Sequence, residues 1–209
     1  MPKRIQLRRT EHAYALRFGA ASVLALLAGR KTQTRRIIRN WPSQWSMPPA
    51  RMHEGVLCRY GVDHDEILIP PHPREGERFY ISEVVSFQPG FWFGKKQAGP
   101  VLRYAADEQT SPVVVPSRVK HPKLGRWPGR TLPLEWARPW RGIVTRMSAE
   151  QIRDISDSDA KAEGFGSLDH FREIWLQLYA ERGIRWMDNP MVWVREFKQI
   201  ADSTEANDG

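Results

Sequence analysis

A lysine and two threonines sit inside a cationic run, Gly29-Arg30-Lys31-Thr32-Gln33-Thr34-Arg35-Arg36. Arg30, Lys31, Arg35, Arg36 and Arg39 place five cations within ten residues. Fixed positive charge beside hydroxyls and an amine suits acyl chemistry, in which a carbonyl is attacked and the developing anion must be held. The same residues also suit phosphate contact, or simply a solvated basic strand.

The flanking elements must position that run. Ala21-Ser22-Val23-Leu24-Ala25-Leu26-Leu27-Ala28 reads as a short buried helix over 20–28, ended by Gly29. Interleaved threonines favour an extended segment over 31–38. Strict strand alternation would set Lys31 and Thr34 on opposite faces, so the pair cooperates only if the lysine lies in the turn leaving the helix. A short strand is expected around Tyr14 to Phe18, behind a basic arm over 1–17. A hairpin is expected from 56–60 to 66–69, then strands at 78–87, 101–105 and 141–147. The segment 40–51 reads as an irregular loop, with Trp41 and Trp45 able to line a cleft. Residues 108–133 read as a long basic loop, with a short strand at 113–115 one reading.

The C-terminal third is better punctuated. Ser148 with Gln151 reads as a capping box opening a helical turn, and Ser156 with Asp159 as a second. Gly164 ends that turn. Ser167 opens a helix with Leu168, Phe171, Ile174, Trp175 and Leu178 on one stripe, closed by Gly183. Met191 to Ile200 is the last strand, and 201–209 a fraying tail. Trp175 and Trp193 are expected in the core. Short strands with a few helices place the chain among α+β folds.

Composition narrows the partners. The 209 residues carry a net charge of +8, spread unevenly. Residues 1–39 hold ten Lys/Arg against one acid, and residues 95–146 eleven against three, whereas 147–209 hold seven against thirteen. Segregation of this kind points to one positive face suited to a phosphate backbone. Arg4, Arg8, Arg35, Arg36 and Lys123 are expected around one groove. In the loop, Arg118, Lys120, Lys123, Arg126 and Arg130 alternate with His121 and Trp127, a pattern suited to single strands, where bases stack and cations track phosphates. The alternative for Trp127 is a side chain tucked onto the fold. A single cysteine, Cys58, excludes an internal disulfide and fits a reducing cytoplasm. No run reaches the length of a membrane span, and no cleavable leader is recognised. The six histidines show no ligand spacing, so neither a metal nor a cofactor is expected.

Several segments resemble the ASCH family of PUA-like small β-barrels linked to RNA. Gly-Arg-Lys-Thr-x-Thr-x-Arg after a short helix is similar to the family signature. Gly76-Glu77-Arg78-Phe79-Tyr80-Ile81-Ser82-Glu83 and Arg103-Tyr104-Ala105-Ala106-Asp107 resemble strands of its larger phage and prophage members. Ile152-Arg153-Asp154-Ile155-Ser156 with Asp159-Ala160-Lys161-Ala162-Glu163-Gly164 resembles their helix, and Asn189 to Phe197 their closing strand. These pieces span about two thirds of the chain in the family's order. Where the larger relatives usually show Arg-Glu-Thr-Trp, this chain has Ser82-Glu83-Val84-Val85.

The resemblance implies a PUA-like barrel over 18–200, with insertions at about 40–75 and 108–133. It also implies a catalytic set: the residues of the small bacterial enzymes that hydrolyse N4-acetylcytidine fall here on Lys31, Thr34 and Glu163. A threonine hydroxyl would attack the amide carbonyl once a neutral lysine has taken its proton. Glu163 would carry a proton to the departing amine, or hold the lysine. Glu83 is the alternative carboxylate; in an apolar strand it needs a partner, with Arg103 and Lys31 the candidates. Arg30, Arg35, Arg36, Arg118, Lys120, Lys123, Arg126 and Trp127 are the expected nucleic-acid contacts. The implied function is recognition of RNA or a modified nucleoside, with hydrolysis of an N4-acyl cytidine. The alternatives are a non-catalytic nucleic-acid-binding module and a single-strand ribonuclease.

Overall fold

The computed structural model describes residues 13–39, 41, 51–53, 56–59, 66–68, 70–88, 92–93, 96–97, 101–112, 125–127 and 132–201. Arg4, Arg8, Trp45, Arg118, Lys120, Lys123, Arg130 and the strand read at 113–115 lie outside them.

Strand β1 (Ala13–Arg17) leads into helix α1 (Ala20–Leu27) and strand β2 (Gln33–Ile37). Strands β3 (Arg51–His53), β4 (Val56–Arg59) and β5 (Glu66–Leu68) form a small antiparallel sheet, and β3 begins at the end of the expected irregular loop and adds a strand to the expected hairpin. Then come β6 (Arg78–Ser82), β7 (Val85–Gln88), β8 (Trp92–Phe93), β9 (Lys96–Gln97), β10 (Val101–Tyr104), β11 (Thr110–Pro112) and β12 (Gly125–Arg126). The chain closes with β13 (Arg141–Gln151), α2 (Asp157–Ala162), α3 (Leu168–Tyr179) and β14 (Met191–Ile200).

The fold is α+β. Its main sheet has the order β1-β6-β13-β14-β2, and a second has the order β11-β10-β7-β12. Strands β1 and β6 are parallel; the remaining pairs are antiparallel. Among the described residues β1 and β2 are the edges of the main sheet and do not pair with each other. No helix among these residues is long and apolar enough to cross a membrane.

Three sequence expectations are corrected. The strand read over 78–87 is two strands in two sheets, because the chain changes sheet at Glu83-Val84. Ser82 and Glu83 are tied there by side chains: Leu132 N–H donates to Ser82 Oγ at 3.0 Å, and Glu83 pairs with Arg138. The helical turn read at Ser148 is strand instead, since from Arg146 opposite Glu196 the pairing of β13 with β14 runs unbroken to Gln151 opposite Met191. Continuous pairing outweighs a local capping signal there. On α3 the buried stripe is Phe171-Trp175, with the Tyr179 ring tilted against the Trp175 ring at 4.3 Å between centres, while Leu178 is exposed.

Helix α1 and the sheet enclose one core around Phe79, with Val23, Leu26, Val144 and Phe197. Helices α2 and α3 enclose another with Ala160, Phe171, Trp175, Val192 and Val194. Trp193 joins Ile38 and Met147 in a third cluster, against which Trp41 packs. Both helix-bearing cores rest on β14, through Phe197 in the first and Val192 and Val194 in the second.

Candidate functional site

Lys31 is placed by helix ends rather than by a strand. After α1 the chain turns through Gly29 at φ +68°, and the N–H groups of Arg30 and Lys31 both donate to Ala25 O, at 2.9 and 3.1 Å. Thr32 N–H then donates to Ala162 O on α2 at 2.7 Å, and Thr32 O accepts from Phe197 N–H on β14 at 2.9 Å. Strand β2 starts only at Gln33. The lysine therefore occupies the turn that cooperation with Thr34 requires.

Glu163 is placed by the other helix end. Ser156 and Asp159 form the expected capping box at the start of α2. At its end Phe165 N–H donates to Ala160 O at 3.0 Å and Gly164 N–H to Lys161 O at 2.8 Å, a Schellman pair made with Gly164 at φ +92°. Glu163 is thereby turned inward, only 4% exposed. Lys31 Nζ donates to Glu163 Oε2 at 2.5 Å and to Glu163 O at 2.7 Å, so one amine holds both the carboxylate and a free carbonyl of the helix end.

Arg35 fastens this pair to the sheet. Its guanidinium donates to Glu150 Oε1 at 2.7 Å and to Gln33 Oε1 at 2.9 Å, and lies 3.5 Å from Asp159 Oδ1 and 3.5 Å from Glu163 Oε1. Three carboxylates thus share one buried guanidinium. Arg35, expected to face nucleic acid, has its charge spent inside the protein.

Burial pushes the Lys31 amine below its ordinary 10.5, Glu163 pulls the other way, and Arg36 and Arg35 add to the lowering. Phe18 and Phe165 stand 6.0 and 5.9 Å from Nζ, so the amine sits among aromatic rings with one acid. Lys31, Thr34, Arg36, Glu163, Phe18 and Trp175 line a cleft of about 110 Å³. The structure brings together the lysine, threonine and glutamate that lie 132 positions apart at the extremes.

The other candidates are placed elsewhere. Glu83 is buried against Arg138, with Nε 2.5 Å from Oε1, instead of against Arg103 or Lys31. Arg138 also reaches Asp107 at 2.6 Å and stacks 4.1 Å over the Tyr104 ring, while Arg103 pairs with Glu108. Glu83 is not among the residues lining the Lys31 cleft. Arg30 is exposed and donates to Gly164 O at 3.4 Å. Arg36 is half-buried, donates to Arg17 O and stands 5.6 Å over the Phe18 ring. Arg126 is exposed on β12, and Trp127 packs edge-on against Phe87 of the second sheet and against Trp136 in the turn over 134–136. Among the described residues no cluster of His, Cys, Asp or Glu is arranged to hold a metal ion.

Arg195 escaped the sequence reading. Paired opposite Thr34 and 2% exposed, it donates to Pro73 O at 2.9 Å and Pro71 O at 2.8 Å. Burial pushes its guanidinium down to about 10, which leaves it charged at neutral pH. The available signal was a lone arginine inside the buried run Val192 to Phe197.

No family model matches the chain, and no curated protein matches it. Among solved structures it is similar to a protein of Enterococcus faecalis V583 described by the family model DUF984. The two are 14% identical, the alignment covers 95% of this chain and 82% of that one, and the TM-score is 0.40. That level of superposition informs neither fold nor function.

Proposed function

We propose that the chain is an ASCH protein of the PUA-like type that binds a modified nucleoside, or RNA carrying one, and hydrolyses an N4-acyl cytidine amide at Lys31, Thr34 and Glu163. The observation that carries this reading is the buried Lys31–Glu163 pair beside Thr34 at a cleft. A lysine meant only to hold phosphate gains nothing from burial against an acid. One meant to act as a base gains a lowered pKa from the burial itself, which outweighs the opposite pull of Glu163.

The chemistry follows from the two hydrogen bonds. A neutral amine has two N–H bonds, and Glu163 offers two acceptors, Oε2 and the backbone O. The lone pair is then left for the Thr34 hydroxyl. Thr34 Oγ1 bonds to the acyl carbon as its proton passes to Lys31 Nζ. The C–N bond breaks as a proton returns, through Glu163, to cytosine N4. Water then cleaves the acyl-threonine ester and releases the carboxylic acid. Arg36, with no carboxylate partner among the described residues, is the cation left to steady the oxyanion.

The test incubates the protein with N4-acetylcytidine and, separately, with a single-stranded RNA, and analyses products chromatographically. Cytidine and acetate are expected, with Lys31→Arg losing nearly all turnover because a guanidinium stays protonated. Full turnover in Lys31→Arg sinks the general-base role. Binding without turnover leaves a binding module, and strand cleavage abolished by Lys31→Ala makes the protein a ribonuclease.

A further inference from the structure

A second cleft opens beside the first, and its walls are cationic. It holds about 450 Å³ and is lined by Arg36, Arg39, Arg182 and Tyr179 with Ile38 and Ile184. Arg36 and Tyr179 line both clefts, so the two meet at those side chains. The walls are built, not incidental. Arg36 lies on β2 and Arg39 just beyond it, where Ile38 N–H donates to Met191 O at 2.9 Å. Arg182 ends the turn after α3, closed by Gly183 at φ +70°, and its guanidinium lies 5.5 Å from the Tyr179 ring centre.

Among the described residues none of these three arginines has a carboxylate partner, and no acid lines the cleft. Arg35, one residue from Arg36, has three. The sheet therefore neutralises one arginine and leaves its neighbours' charge for something else. The end of α3 contributes carbonyl dipoles worth about half a negative charge, which three guanidinium groups outweigh. Guanidinium forks pair bidentately with the oxygens of a phosphate.

Size supplies a second argument. The inner cleft, about 110 Å³, is smaller than the roughly 150 Å³ cavity that admits benzene. A base edge with its acyl group can enter it; a whole nucleoside cannot. Sugar and any phosphate must lie outside, and the neighbouring 450 Å³ cleft is where that space exists.

We propose that Arg36, Arg39 and Arg182 form a phosphate subsite, so that the ligand is a nucleotide, free or within a strand, in preference to a nucleoside. This inference rests on the reading of the Lys31 cleft as a cytosine site. The experiment measures equilibrium affinity for N4-acetylcytidine, its 5′- and 3′-monophosphates and a trinucleotide centred on it, on the full chain and on Arg39→Gln/Arg182→Gln. At least one monophosphate should bind about tenfold tighter than the nucleoside. In the double variant that advantage, read as the ratio of nucleotide to nucleoside affinity in the same protein, should fall below about threefold. A further gain for the trinucleotide assigns the phosphate to a strand; no further gain assigns it to the mononucleotide. Equal affinities for nucleoside and nucleotides, an advantage that survives the double variant, or no binding at all overturns the subsite. Deacetylation of the nucleoside with no phosphate advantage removes the subsite alone, whereas a phosphate advantage without deacetylation keeps it and removes the hydrolase.

Discussion

Gly164 and Ala25 approach so closely that a β carbon on Gly164 would stand 2.6 Å from the Ala25 methyl. It would also stand 3.3 Å from the β carbon of Lys31. The end of α2 is thus pressed onto the end of α1, and that contact is what brings Glu163 to the lysine. Gly164→Ala imposes both a left-handed conformation on a residue with a side chain and an overlap with a neighbour that belongs to a helix. The first costs about 1–2 kcal/mol and the second about 1–3 kcal/mol. We expect a fall in melting temperature of about 5–15 °C by thermal denaturation, with any amide hydrolysis lost in proportion to the displacement of Glu163. An unchanged melting temperature removes the close packing of the two helix ends.

The buried pair makes a coupled stability prediction. Lys31→Met leaves an acid facing only Arg35 at 3.5 Å, and Glu163→Leu leaves a buried ammonium with a single carbonyl. Each single change should cost about 3–5 kcal/mol, because it strands a desolvated charge. The double change Lys31→Met/Glu163→Leu should cost far less than their sum. Urea denaturation of the four proteins reads the coupling directly. Additive losses would show that the two groups do not depend on one another.

Local signals were legible where the chain solves its own problem. Gly29, Ser156 with Asp159, Gly164, Ser167 and the span Met191 to Ile200 each carry their structure in adjacent residues, and each is found where expected. What stayed hidden depends on partners distant in sequence. The break after Ser82 follows from Leu132 and Arg138, and the persistence of strand through Ser148 follows from β14. Arg35 reads as one more cation in a basic run until Glu150, Asp159 and Glu163 are brought around it. Trp127 divided between a base platform and a tucked side chain, and only its contact with Phe87 and Trp136 decides that it packs onto the second sheet.

Glu83 and Glu163 are separable by experiment. Glu83 is committed to Arg138, which also carries Asp107, so Glu83→Gln weakens a buried charged contact. A loss of about 1.5–3 kcal/mol is expected in chemical denaturation. Any kcat/KM for amide hydrolysis should be unchanged at temperatures where the variant stays folded. Collapse of turnover in the folded Glu83→Gln protein, with Glu163→Gln active, would move the acid role to Glu83.

Arg195 gives a prediction about the turn over 70–77. Its two donors occupy the carbonyls of Pro71 and Pro73, and lysine, whose three donors radiate from one nitrogen, does not reproduce a planar fork that spans both. Arg195→Lys should destabilise the protein by about 1–3 kcal/mol and speed amide hydrogen exchange at Arg74 and Gly76 before the rest of the sheet. Uniform exchange across β6 and β14 would mean that the arginine supports the whole sheet instead of this turn.

The pH dependence of Lys31 has a definite sign. Its amine titrates below 10.5 when folded, chiefly because burial disfavours the ammonium, and near 10.5 when unfolded. Between those two values the unfolded chain binds more protons than the folded one, so stability rises with pH across that window. Below the folded value both states hold the proton and Lys31 contributes no slope. The same titration frees the lone pair, so any turnover should climb as pH passes the folded value and level off before 10.5, while Lys31→Arg shows no such limb. Urea denaturation of wild type and Lys31→Met across the window isolates the stability effect, and a heteronuclear NMR titration of the Lys31 side chain reads the proton itself. A Lys31 resonance that titrates at or above 10.5 would leave the amine charged throughout the working range, and an amine that never loses its proton cannot take one from Thr34.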